Sequence, residues 1–186
     1  MMGVVAAILM WAAVGVVKAS TLLEMGSCPN VTTKADLDLR QLEGRWYHFI
    51  RFPNDDEPFA TCTQSTYNYT ADGYLDVVTK GLDATGEQVT RAGVLAFLPD
   101  SPTGALQLDL DGMPPLRLWV VHTDEDKLVC LYSCAEFPGL RAEWAWAITR
   151  GLRPMIKTVK SCRMKLNQLD VDDSKFKRVR HTTACP

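Results

Sequence analysis

The stretch "LEGRWYHFIRFP", Leu42 to Pro53, sets a glycine two residues ahead of a tryptophan and then runs on as strand-prone sequence to a proline. Glycine suits a tight entry into a strand, because it adopts backbone angles that other residues avoid. Side chains alternate across a strand, so the face that carries Trp46 should also carry His48, Ile50 and Phe52. A bulky indole at the mouth of a strand, followed by a half-apolar face, reads as the start of a β-strand with one face turned to a core.

The pattern repeats downstream. Short β-like runs at roughly 44–52, 64–70, 74–81, 87–97, 105–110, 116–122, 128–134 and 142–149 are separated by "PNDDEP", "ADG", "DATG", "PDSPTG", "DGMPP", "TDED" and "FPG". These are turn-forming residues. Eight regularly spaced strands in one domain point to an all-β sandwich or up-and-down barrel. Before them, "ADLDLRQLEG" reads as a short helical or 3₁₀ turn. After them the period changes: Met155, Val159, Cys162, Leu166 and Leu169 recur at steps of four and three, with Pro154 suited to a first turn. That is one stripe of an amphipathic helix, which must lie outside the sheet with Cys162 toward it. A basic run, "FKRVR", follows.

The chain has 186 residues and a formal net charge of −2, with its basic residues spread along the sequence. This is unlike the clustered basic face of a nucleic-acid binder. Residues 1–19 form an apolar run ending in small residues. They read as a secretory signal peptide, leaving 20–186 as one domain with no second run long enough to insert in a membrane. All six cysteines follow that segment, and an even number in a secreted chain implies a disulfide framework. Cys130 and Cys134 share a strand and stand about 13 Å apart, too far to bond each other. Both point to the same face, so either is open to Cys162. Two sequons, Asn30–Val31–Thr32 and Asn68–Tyr69–Thr70, mark Asn30 and Asn68 as glycosylation sites in the same extracellular setting.

Three ordered motifs resemble those of the lipocalins. "GRWY" (Gly44 to Tyr47) matches a Gly-x-Trp at the first strand, and "VVHTDEDKL" (Val120 to Leu128) resembles a turn carrying Thr123 and Asp124. "WAWAITR" ends in Arg150, where the family places a basic residue. The resemblance implies an eight-stranded antiparallel up-and-down barrel with one C-terminal helix packed outside, and Arg150 lying over Trp46 at its floor. "GRWYHFIRFPN", "CLYSC" and "LDVDDSKFKRVRHTTACP" are similar to the apolipoprotein D, insecticyanin and crustacyanin group, and the six-cysteine pattern is similar to the carotenoid-binding crustacyanin subunits. That likeness implies the pairs Cys28–Cys134, Cys62–Cys185 and Cys130–Cys162. The sequence departs from the family at "HTDED" and "DLDL", positions where an aromatic residue is common.

Such a barrel encloses room for one small ligand. Alternation assigns its lining. With Cys62 and Asn68 outward, Thr63, Ser65, Tyr67 and Tyr69 point inward. With Cys130 and Cys134 outward, Val129, Leu131 and Ser133 point inward. Trp144, Trp146 and Ile148 share parity with Arg150. Leu106, Leu108 and Leu110 come from one strand, Leu118, Val120 and His122 from the next, and His48, Ile50 and Phe52 from the first. An apolar lining with a few polar tips suits a flat or elongated hydrophobic molecule.

The expected function is therefore that of a secreted, non-enzymatic carrier, with a carotenoid or other pigment as ligand and no cofactor or metal. A fatty acid, retinoid or bilin carrier of the apolipoprotein D kind is the alternative. A thiol-dependent isomerase and a haem carrier are further alternatives within the same fold. The resemblance also implies a homo- or heterodimer, in which an outward aromatic such as Trp119 could take part.

Overall fold

The computed structural model describes residues 23–53, 57–124, 126–183 and 185, so the expected signal segment 1–19 lies outside the described residues. In chain order the strands are β1 (Leu23–Met25), β2 (Gly44–Arg51), β3 (Thr61–Tyr69), β4 (Leu75–Leu82), β5 (Gln88–Phe97), β6 (Leu106–Leu110), β7 (Leu116–Asp124), β8 (Leu128–Phe137), β9 (Leu140–Thr149) and β10 (Lys177–Arg178). The helix α1 (Ile156–Asn167) follows β9, and a 3₁₀ turn over Leu39–Leu42 precedes β2. Strands β2 to β9 pair antiparallel with their sequence neighbours, and β9 returns to β2, which closes an eight-stranded barrel. The eight expected strands are all present. The sequence reading missed β1 and β10, short strands that add to β9 and β2 from outside.

Alternation places most of the chain. Along β4, Leu75, Val77 and Thr79 are buried while Asp76 and Lys80 are exposed. At one point two strands come unusually close: a Cβ on Gly93 of β5 would lie 1.8 Å from the Asp109 carbonyl oxygen, so glycine alone fits there.

Three irregularities break the alternation, at Thr61/Gln64, His48/Ile50 and Val120/His122. A bulge adds one residue to one strand and sends the following side chains to the other face. Three inward assignments are corrected on this account. Beyond His48, Ile50 pairs with Ala147 and joins the outer core, and Phe52 packs edge-on against Phe176 at 4.8 Å between ring centroids. Arg51 points inward in their place. Beyond Val120, His122 faces α1, where its Nε2 is 3.0 Å from the Ser161 hydroxyl.

Two cores result. The inner one holds Trp46, Tyr67, Leu75, Val77, Leu95, Leu106, Leu118, Val120, Val129, Leu131, Trp146 and Ile148. The outer one lies between the barrel wall and the elements wrapped around it, and includes Ile50, Phe52, Val121, Tyr132, Cys162, Leu166 and Phe176. The helix begins at Ile156 rather than in a first turn containing Pro154. Met155 occupies its N-cap and is exposed, so the buried stripe is Val159, Cys162 and Leu166, flanked by Thr158. Each large apolar side chain so buried contributes about 1.5–3 kcal/mol.

Disulfides join Cys28–Cys134, Cys62–Cys185 and Cys130–Cys162, fastening the N-terminal segment, the C-terminal tail and α1 to the wall. A buried polar cluster adds to this. Tyr132 donates its hydroxyl hydrogen to Glu143 at 2.7 Å, Lys175 Nζ donates to the other Glu143 oxygen at 2.7 Å, and Lys175 also pairs with Glu24 of β1.

Candidate functional site

The barrel has one closed end. Trp46 is fully buried, and its indole N–H donates to the Leu42 carbonyl at 2.7 Å. The Arg150 guanidinium lies 3.8 Å from the centroid of the Trp46 ring. It also donates to the carbonyls of Asp126, Arg45 and Gln41 at 3.2, 3.2 and 3.4 Å. Gly44 has a φ of +94°, and a Cβ there would meet Arg150 Nη1 at 2.9 Å. The glycine therefore makes room for the cation that covers the tryptophan. The turn after Thr123 and Asp124 closes with Lys127 donating to the Asp124 carbonyl, and the Arg150 amide donates to the Lys127 carbonyl. The three sequence motifs thus meet at this floor.

Above the floor lies an inner chamber of about 60 Å³. Of the expected residues, His48, Tyr67, Leu108, Leu118, Leu131 and Trp146 line it, as do Ser65 and Leu110. Leu106 and Val120 point inward but are packed into the inner core below, and Thr63 is buried away from the chamber. Tyr69 is drawn to the floor, where the Arg40 guanidinium sits 4.6 Å from its ring centroid. At the open end, Ser133 and Trp144 line a wider vestibule of about 700 Å³ with Leu23, Arg117, Phe137 and Ala142. Ser133 is not a free polar tip, because its hydroxyl donates to the Arg117 carbonyl at 2.6 Å. Glu57, Met113, Pro114 and Leu116 border both spaces and form the neck between them.

Sequence reading passed over several lining residues. Thr79 and Leu95 were recoverable from alternation along β4 and β5. Glu57, Phe59, Met113 and Pro114 come from loops, where no periodicity exists to assign a direction. Glu57 is held in place: its carboxylate accepts from the Trp146 indole N–H at 2.9 Å and pairs with Arg51, whose other nitrogen donates to the Phe59 carbonyl.

The chamber's polar groups form one short chain. His48 Nε2 is 3.0 Å from the Ser65 hydroxyl, which is 2.9 Å from the Thr79 hydroxyl. Burial, with Arg51 and His181 nearby, pushes the His48 pKa down to about 3, so the ring is neutral. Burial likewise pushes the Tyr67 phenol up to about 12. Apart from the Glu57 carboxylate, held at the neck by Arg51 and Trp146, the chamber therefore presents neutral hydrogen-bonding groups in an apolar wall. Among the described residues no three His, Cys, Asp or Glu side chains converge as metal ligands. Trp119 faces outward but is half-buried, with its indole N–H donating to Thr103 at 3.0 Å.

No protein-family model matches the chain. Over 155 residues it is 25% identical to apolipoprotein D of Rattus norvegicus, spanning 82% of this chain and 81% of the relative. It is 23% identical over 146 residues to the crustacyanin-A1 subunit of Homarus gammarus, spanning 77% of this chain and 78% of the relative. The crystal structure of lobster apocrustacyanin A1 superposes with a TM-score of 0.83 at 22% identity, covering 91% of this chain and 96% of that one. Closed barrel, motif-built floor and superposition agree: the chain has the lipocalin fold, and its sequence is similar to apolipoprotein D and to the crustacyanin subunits.

Proposed function

We propose that the chain is a secreted carrier that holds one elongated hydrophobic molecule without chemical change, first of all a carotenoid. The observation that carries this reading is the pair of apolar-lined spaces, the small chamber and the larger vestibule, joined at a neck and closed at the floor. The chamber receives one end of the ligand and the vestibule its body, so affinity comes from buried apolar area. His48, Ser65, Tyr67 and Thr79 then meet a terminal keto or hydroxyl group. The likeness to a crustacyanin subunit supports the carotenoid over a fatty acid, retinoid or bilin.

All six cysteines are in disulfides, which supports a carrier over a thiol-dependent isomerase. The disulfides and the exposed Asn30 and Asn68 fit secretion and glycosylation. A dimer is the assembly to test, since one relative is named as a subunit.

The experiment is to load the purified chain with astaxanthin. A shifted carotenoid absorption band and quenched tryptophan fluorescence are expected, because Trp146 lines the chamber and Trp144 the vestibule. No shift and no quenching overturn the carotenoid assignment. Tight binding of a fatty acid, retinol or biliverdin instead moves the assignment to that class, and failure of all four overturns the carrier reading.

A further inference from the structure

Between Arg150 and Leu169 the chain carries Arg150, Arg153, Lys157, Lys160, Arg163 and Lys165 and no carboxylate. Two of these cations are met from elsewhere: Asp173 pairs with Arg163, and Asp126 lies beside Arg150. Arg153, Lys157 and Lys160 are exposed, and none of them joins an ion pair among the described residues. Steps of four on a helix form one row, so Ile156, Lys160 and Met164 line up on α1 opposite Val159, Cys162 and Leu166. Ile156 is 88% exposed and Met164 50%, and Met155 and Leu152 just before the helix are 54% and 42% exposed. The basic run near the C-terminus joins the same surface. The Arg178 guanidinium donates to the Leu152 carbonyl at 3.5 Å and stacks 3.7 Å from the Phe49 ring centroid.

An ordinary soluble face mixes charges of both signs and keeps large apolar groups apart. Here cations of one sign surround four exposed apolar side chains. We propose that this face docks peripherally on an anionic lipid surface, with Leu152, Met155, Ile156 and Met164 entering the headgroup–acyl boundary and the cations meeting phosphate. A sulfated polysaccharide would satisfy the cations alone and leave Ile156 nothing to bury against. Leu152 lies two residues beyond Arg150, at the barrel floor. Along β9, six residues separate Trp144 at the vestibule from Arg150 at the floor, roughly 20 Å of strand. Docking by this face leaves the ligand entrance open to water.

The test is co-sedimentation of the purified chain with phosphatidylcholine vesicles, with and without phosphatidylserine. Binding is expected only to the anionic vesicles, and to disappear at high salt as the screening length shortens. Lys157→Gln and Lys160→Gln should each weaken it about fivefold. Ile156→Ser should weaken it at unchanged charge while leaving melting temperature and carotenoid loading at wild-type values. The proposal is overturned by absent binding, by equal binding to neutral vesicles, or by heparin capture together with vesicle binding that Ile156→Ser does not alter.

Discussion

Glu143 of β9 and Lys175 of the C-terminal segment meet at 2.7 Å, with the Glu143 side chain only 2% exposed. The barrel wall thus holds a buried carboxylate that the segment wrapped over it helps to balance. The same ammonium pairs with Glu24 of β1, so one lysine ties elements from both ends of the chain to the wall.

Removing that lysine exposes the cost of the buried charge. Lys175→Met leaves Glu143 with Tyr132 and with Arg141 at 3.5 Å. A loss of about 2 kcal/mol is expected, since breaking a buried pair from one side strands the other charge. Urea unfolding measures it, and adding Glu143→Gln should recover part of the loss.

The pH dependence of this clamp has two limbs. Hydrogen bonding to Lys175 holds the Glu24 carboxyl below its ordinary 4.5, so its contribution is complete above 4.5 and fades as pH falls through the lowered value. Burial disfavours the Lys175 charge, but hydrogen bonds to Glu143 and Glu24 outweigh it and raise the pKa above 10.5. That contribution is complete below 10.5 and fades as pH rises through the raised value. Melting temperatures recorded against pH should lose part of both limbs in Lys175→Met.

Between those limbs His48 sets a slope of its own. The unfolded chain takes up its proton near 6.5, while the folded chain keeps the ring neutral down to about 3. Stability is therefore expected to fall by about 1.4 kcal/mol per pH unit below 6.5. His122, half-buried and also lowered, acts in the same direction, so the comparison is wild type against His48→Gln. The variant should show the shallower slope between pH 6.5 and 4.5.

At the floor, Gly44→Ala should destabilise by about 2 kcal/mol, because it forces a left-handed φ and drives a methyl group against Arg150. Equilibrium unfolding measures the loss, and the tryptophan emission of the folded state should shift as the cation over Trp46 moves. An unchanged stability would mean that Arg150 has another resting place.

Inner and outer cores should separate cleanly in binding assays. Leu118→Trp fills the chamber and is expected to weaken astaxanthin binding at least tenfold, for about 1–3 kcal/mol of overpacking. Phe52→Ala should cost about 3–4 kcal/mol of stability, and His122→Gln little, yet both should bind within twofold of wild type. Weakened binding by His122→Gln would place its ring back inside.

The eight strands and the helix were legible because they rest on local rules: turn residues punctuate the strands, and steps of four and three mark the helix. Closure into a barrel and the seat of Arg150 over Trp46 were legible only through the resemblance carried by the three motifs, since residue patterning alone left a sandwich open. Direction was legible only until a bulge intervened. Nothing in "WYHFIRF" or "WVVHTD" marks an extra residue, with neither glycine nor proline at the irregularity, so period-two counting carried Ile50, Phe52 and His122 to the wrong face. Loop residues such as Glu57 and Met113 have no period to count. Their place at the neck depends on how loops fold over the open end, which no neighbouring residue encodes.

The three disulfides all fasten something to the outside of the barrel, and none crosses its interior. The eight-strand ladder that encloses the chamber is closed by hydrogen bonds between β2 and β9 alone. Thiol reductants therefore act on the jacket and not on the room. Helix, N-terminal segment and tail would loosen first, while the strand ladder around the chamber stays closed.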